Sequence, residues 1–323
     1  MKAFVTGGTG FIGERVIRRL RDRDDDVVAL VRTPSKATAL ADLGCELVEG
    51  DLGSEDAIRR GVGNCDAAFH IAAIYKVGIP RKERPAMYDA NVRGTERVLD
   101  AAIAAGAERI VYVSTVNAFG NTKGRIVDET YRRPPNEFLS TYDETKYLSH
   151  EVAKDRIAAG APIVVVQPSM VYGPGDHSEV GKIIEATRTG KQHYLSFPKL
   201  GLSSVHVDDV AEGILLAHDK GRIGESYVLA GEITTLRELV DKVARLAGTK
   251  PPRVTMPAAA VWASIPLGPL VGPLMGLPPN IGELYRASKG VTYWAKDDKA
   301  RAELGYAPRD LDTGLTQMFS VTA

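Results

Sequence analysis

Thr6-Gly7-Gly8-Thr9-Gly10-Phe11-Ile12-Gly13 follows the apolar run Ala3-Phe4-Val5 and leads into an amphipathic stretch. Gly7 permits a tight turn, Gly10 lets the backbone approach a pyrophosphate, and Gly13 lets a helix pack closely on the preceding strand. The free amides at the helix start, near Phe11 and Ile12, would then point at phosphate oxygens. A glycine trio by itself is an ordinary turn. At the head of a strand–helix series it reads as a dinucleotide cradle.

That series is visible on working outward. Apolar runs predict strands over residues 3–6, 27–31, 46–49, 67–71, 110–114 and 163–167, with helices over 12–23, 54–62, 92–105 and 141–159. The strands are rich in Val and Ile without clean alternation, as expected where both faces are buried. Strands alternating with helices imply an α/β fold, a Rossmann-type doubly wound parallel sheet with right-handed crossovers. Further on, a helix is expected over 207–217, a strand over 226–229 and a helix over 236–246. Residues 1–171 thus read as a dinucleotide-binding domain to which 205–231 return. Residues 172–204 and 232–323 mainly form a smaller C-terminal substrate-binding domain.

Composition narrows the function. The 323 residues carry 41 Lys+Arg against 41 Asp+Glu, so no bulk charge draws the protein to nucleic acid. Cys45 and Cys65 are too few for a disulfide framework, and six histidines lack ligand spacing, so no metal is expected. His206, before Asp208 and Asp209, reads as a structural turn. The amino terminus runs into glycines after six residues, unlike a secretory leader, and a cytoplasmic protein is expected. Residues 254–282 carry no charge but six prolines, at 257, 266, 269, 273, 278 and 279. Prolines at that density break a helix, which argues against a transmembrane span and for a buried lid or pocket wall. Peripheral membrane contact stays open. The segment includes a four-residue repeat over 268–276.

The second predicted strand ends in Val31-Arg32, and Lys36 follows, with no acid at that end. An acid there would bind the ribose 2′-hydroxyl of NAD, whereas an Arg accommodates the 2′-phosphate of NADP. NADP(H) is therefore favoured over NAD(H). Asp51, in Gly50-Asp51-Leu52 after the third strand, is placed to accept the adenine amino group, to cap the next helix, or to do both.

Tyr142 and Lys146 stand four residues apart on a predicted helix, hence on one face. A phenol is a poor acid–base group at neutral pH, and a nearby cation stabilises its phenolate. Tyr142 would exchange a proton with a carbonyl or hydroxyl while a nicotinamide exchanges hydride, and Lys146 would also hold the ribose. Tyr285 and Lys289 repeat the spacing, but in a region that reads as irregular. Thr115, ending the fifth strand, would steady the substrate oxygen on the same sheet edge.

These motifs, with His70-Ile71-Ala72-Ala73, Asn91-Val92-Arg93-Gly94-Thr95 and the stretch from Gln167 to Gly175, resemble the extended short-chain dehydrogenase/reductase family. Within it the chain is most similar to the dihydroflavonol-reductase-like and hydroxysteroid-dehydrogenase-like branch. The resemblance implies Thr115, Tyr142 and Lys146 as a catalytic triad. It sets Ala72 and Ala73 beside the cofactor's ribose-phosphate portion and Pro168, Ser169 and Val171 near the nicotinamide, with Leu52 in the cofactor-binding motif. It implies a homodimer through the helices at 92–105 and 141–159, and Asn91 as the holder of a backbone turn. Ser169 stands where many nucleotide-sugar enzymes carry Asn, and Gln167 where Arg is frequent. The leading expectation is an NADPH-dependent reductase of a ketone or aldehyde with an apolar body. The alternatives are a nucleotide-sugar epimerase or dehydratase, and a nucleotide sensor without chemistry. Tyr75, Met170, Tyr194, Trp262 and Tyr285 are candidate pocket-wall residues.

Overall fold

Strands β1 (Lys2–Thr6), β2 (Asp26–Val31), β3 (Glu46–Glu49), β4 (Ala67–His70), β5 (Arg109–Val113), β6 (Ile163–Pro168) and β10 (Ser226–Leu229) form one parallel sheet. Their order is β10-β6-β5-β4-β1-β2-β3. The order reverses between β1 and β4, which opens a crevice at their carboxyl ends. The computed structural model describes residues 1–134, 136–268 and 278–321. The glycine–proline repeat is thus almost wholly outside the described residues.

Each sheet face buries its own core. Helices α1 (Gly13–Asp22), α2 (Thr38–Asp42) and α8 (Val207–Lys220) cover one face, over Val5, Phe69, Val111 and Val164. Helices α3 (Glu55–Val62), α5 (Gly94–Ala104) and α6 (Thr141–Ala158) cover the other, over Phe4, Ile110, Tyr112 and Val165. Burial of such a side chain contributes roughly 1.5–3 kcal/mol. Val111→Asp would strand a charge between strand and helix and unfold this layer. The helix expected from residue 92 begins earlier, as α4 (Arg84–Tyr88) runs through a wide π turn (Asp89–Arg93) into α5.

The second half builds a smaller antiparallel–parallel sheet, β11 (Glu232–Thr235), β9 (Gly201–His206) and β7 (Met170–Tyr172). Helices α7 (Glu179–Arg188) and α9 (Leu236–Ala247) and the C-terminal helix Leu311–Val321 enclose a third core around Tyr172, Ile184, Leu239 and Leu315. A Thr235–Glu238 capping box starts α9. A two-residue ribbon joins β8 (Tyr194–Leu195) to β12 (Val254–Thr255), followed by α10 (Ala258–Ser264). The region around Tyr285, expected to be irregular, is a helix, Ile281–Ser288. The prolines at 278 and 279 precede its first turn, where missing N–H groups cost nothing, and Asn280 caps it by accepting from the Glu283 N–H. A last short helix spans Asp298–Leu304.

Candidate active site

The glycine turn has the shape its spacing requires. Gly7 adopts φ +80°, and a Cβ there would lie 2.7 Å from the Ala72 nitrogen, so the chain after β4 runs directly against the turn. A Cβ on Gly13 would collide with the Gly7 carbonyl oxygen. The Phe11 and Ile12 amides have no partner among the described residues. This is a cradle that only glycines fit, with free donors at a helix N-terminus, and it matches a pyrophosphate. Arg15 fastens it. Its guanidinium donates to Phe11 O (2.8 Å), Pro174 O (2.6 Å) and Asp208 (3.1 Å), and stacks over the Phe11 ring.

Other predicted cofactor contacts ring this turn. Arg32 and Lys36 are exposed after β2, and their side chains have no hydrogen-bonding or ion-pair partner among the described residues. Asp51 does not cap α3 directly. Its carboxylate accepts from the Gly53 N–H (2.9 Å) and the Ser54 hydroxyl (2.8 Å) in the turn before it. Leu52 packs beneath Gly94 and serves the joint with α5. The buried Ser169 hydroxyl and Gln167 amide nitrogen have no partner among the described residues, while Val171 sits in β7.

Two elements position Thr115, Tyr142 and Lys146, β5 and α6. β5 delivers Thr115, whose hydroxyl donates to Pro168 O (3.3 Å) and accepts from the Asn117 N–H (3.2 Å). Ser140 starts α6 by accepting from the Asp143 N–H (3.0 Å). Asp143 is in turn gripped by Arg133 (2.7 and 3.2 Å) in a buried bidentate pair. Lys146 is buried with no carboxylate partner among the described residues, and its ammonium donates to Val113 O (3.0 Å) and the Tyr112 hydroxyl (3.4 Å). The expected cation at the Tyr142 phenol is therefore directed elsewhere here. Burial pushes the phenol above its ordinary value, the phenols of Tyr75 and Tyr112 add to this, and the neighbouring Thr115 hydroxyl offsets part of it.

The ring of Tyr75 meets that of Tyr142 edge-on, 4.8 Å between centroids, and Ile74, Ile79 and Met87 complete an apolar surround. Asn91 holds both backbone groups of Ile74 (2.7 and 3.0 Å) and donates to Thr145 (3.0 Å), in the turn-holding manner expected of it. His206, also read as structural, starts α8 by accepting from the Asp208 N–H (3.2 Å). Beneath the site, His70 bridges the Thr6 and Thr95 hydroxyls (2.8 and 3.0 Å); burial, then the Lys146 charge, brings its pKa down to about 3.

Sequence reasoning missed Glu283. Fully buried, it accepts from the Thr141 N–H (2.9 Å) and from Asn280 (3.0 Å), and lies 3.6 Å from Arg84. The Asn280-to-Glu283 spacing is a helix-start signal that was available, but its partner at residue 141 was not. Of the other aromatic wall candidates, Tyr285 packs edge-on against Phe197, and Tyr194 and Trp262 are exposed.

A fold with this cradle and this edge defines a nicotinamide-dinucleotide-dependent oxidoreductase. Residues 3–230 match the NAD dependent epimerase/dehydratase family, and the chain belongs to it, in its extended short-chain dehydrogenase/reductase branch. It is 35% identical over 306 residues to a Synechocystis sp. protein named for dihydroflavonol 4-reductase, covering 89% of this chain and 88% of that one. It is 33% identical to a 4-hydroxy-2-methyl-3-oxo-4-farnesyl-3,4-dihydroquinoline-1-oxide ketoreductase of Stigmatella aurantiaca, over 96% and 92% of the two chains. A solved UDP-glucose 4-epimerase of Thermotoga maritima shares the fold, with TM-score 0.79 and 24% identity over 100% and 99% of the chains.

Proposed function

We propose that the protein is an NADPH-dependent reductase of a ketone or aldehyde with a substantially apolar body. The observation that carries this reading is the apolar surround of Tyr142, formed by Tyr75, Ile74, Ile79 and Met87. When bound, a reduced nicotinamide supplies the hydride. Tyr142 gives its proton to the carbonyl oxygen, and Thr115 orients that oxygen with its hydroxyl. Lys146 holds the ribose, and favours the phenolate left behind once its ammonium turns from Val113 O and the Tyr112 hydroxyl. Gly7, Gly10, Phe11, Ile12 and Gly13 hold the pyrophosphate, Arg32 and Lys36 the 2′-phosphate, and Asp51 and Leu52 the adenine side. Ala72, Ala73, Pro168, Ser169 and Val171 line the rest of the cofactor's path. Segments 172–204 and 232–323 supply most of the substrate side. Two copies associate through α5 and α6, where Ile103 is exposed and Leu148 and Val152 are half-buried.

The test is a titration with NADPH and NADH, followed by reduced-nicotinamide fluorescence. NADPH should bind more tightly, and Arg32→Ala should weaken NADPH alone, by about 10- to 100-fold for a lost charge-assisted bond. Equal binding, or NADH preference, overturns it in favour of a nucleotide-sugar epimerase or dehydratase. That alternative would place a diphosphate on Arg253, Arg286 or Lys289, which are exposed and outside any ion pair among the described residues.

A further inference from the structure

Exposed apolar side chains and exposed cations outside any ion pair among the described residues gather on the β8–β12 ribbon and the two helices that follow it. In the β8–β12 ribbon Val254 stands opposite Tyr194, so both side chains leave the same face. Val254 is 62% exposed and Tyr194 37%. Directly after the ribbon comes α10, which turns Val261 inward and leaves Trp262 64% exposed. Lys250 and Arg253 precede the ribbon. Arg286 and Lys289 belong to the end of the Ile281–Ser288 helix, which packs on α10. All four cations are exposed, and none forms an ion pair among the described residues; Lys289 lies over the Tyr285 ring, 5.2 Å from its centroid. Between residues 248 and 290 the sequence holds one acid, Glu283, and it is fully buried.

We propose that this face docks on an anionic lipid bilayer, with Trp262, Val254 and Tyr194 at the interface and the four cations against headgroup phosphates. Tryptophan and tyrosine suit that boundary because each joins an apolar ring to a polar handle. Basic side chains near an anionic leaflet add attraction that salt screens. The charge also decides between occupants. A two-fold contact with a second copy sets the same patch against itself, and here that opposes like cations, the one acid between residues 248 and 290 being buried. Docking would open the substrate side toward the layer in which an apolar carbonyl compound concentrates; this last clause rests on the reductase reading.

The experiment is co-sedimentation with phosphatidylcholine vesicles, with and without phosphatidylglycerol, alongside tryptophan emission. Binding should require phosphatidylglycerol, weaken with salt and shift the emission to the blue. The shift should vanish in Trp262→Phe, because the other tryptophan, Trp294, is tied inside by its N–H to Thr234 O (3.0 Å). Trp262→Glu should abolish binding, and Lys250→Gln with Arg253→Gln should weaken it about 30-fold. Unchanged NADPH binding shows that each variant is folded. No binding, equal binding to neutral vesicles, or a dimer that Trp262→Glu splits would overturn the proposal. Vesicle binding is read without turnover, so its failure leaves the reductase reading standing, and failed turnover leaves docking standing.

Discussion

At Tyr142 the structure sets burial, which keeps the phenol protonated, against one hydroxyl, that of Thr115, which eases its ionisation. A protonated phenol can give a proton to a carbonyl oxygen. Tyr142→Phe should therefore lower reduction about 100- to 10,000-fold while NADPH affinity stays within twofold or so, read by steady-state kinetics and fluorescence titration. His70 carries a second prediction, about stability. Its folded pKa of about 3 lies below the 6.5 of an ordinary histidine, so the unfolded chain takes up the proton first. The stabilisation is whole above the unfolded value and is lost as pH falls toward the folded one, at about 1.4 kcal/mol per pH unit. Melting temperature should drop from neutral pH to about pH 5, and more shallowly in His70→Asn. Equal slopes would remove His70 from the account. Tyr142 and Lys146 were legible because a helix puts positions four apart on one face. The direction of the Lys146 ammonium, toward Val113 O and Tyr112, was not, since it depends on a neighbouring strand.

Two joints between elements set the site. In the glycine turn, Gly13→Ala would drive a methyl group into the Gly7 carbonyl and part α1 from β1. Dinucleotide binding should be lost while the far-ultraviolet circular dichroism changes little. At the start of α6, Glu283 meets the Thr141 N–H, a helix end that favours a negative charge. Glu283→Ala leaves that buried donor without its acceptor and takes the carboxylate away from the partly exposed Arg84, and should cost roughly 1–3 kcal/mol in denaturant unfolding. It should also lower kcat more than NADPH affinity, with Glu283→Gln intermediate. The parallel strands were legible to within a residue or two because Val and Ile runs such as 110–113 and 163–166 are buried on both faces. The second sheet was not, because Ser203, Ser204 and Thr234 give its strands a polar, loop-like composition.

For the whole molecule, the α5–α6 face predicts a homodimer. Sedimentation should report twice the chain mass, and Ile103→Asp should shift it toward monomer; a monomeric parent would remove the expectation. The reach of Arg15 adds a consequence in time. This side chain finishes the phosphate turn at Phe11, yet two of its partners, Pro174 and Asp208, come 159 and 193 residues later. A ribosome adding roughly 5–20 residues per second needs about 10–40 s to supply them. Through that interval the glycine turn waits on segments made after it. A growing chain stalled before residue 174 should be unable to retain a dinucleotide, although every glycine of its cradle has already emerged.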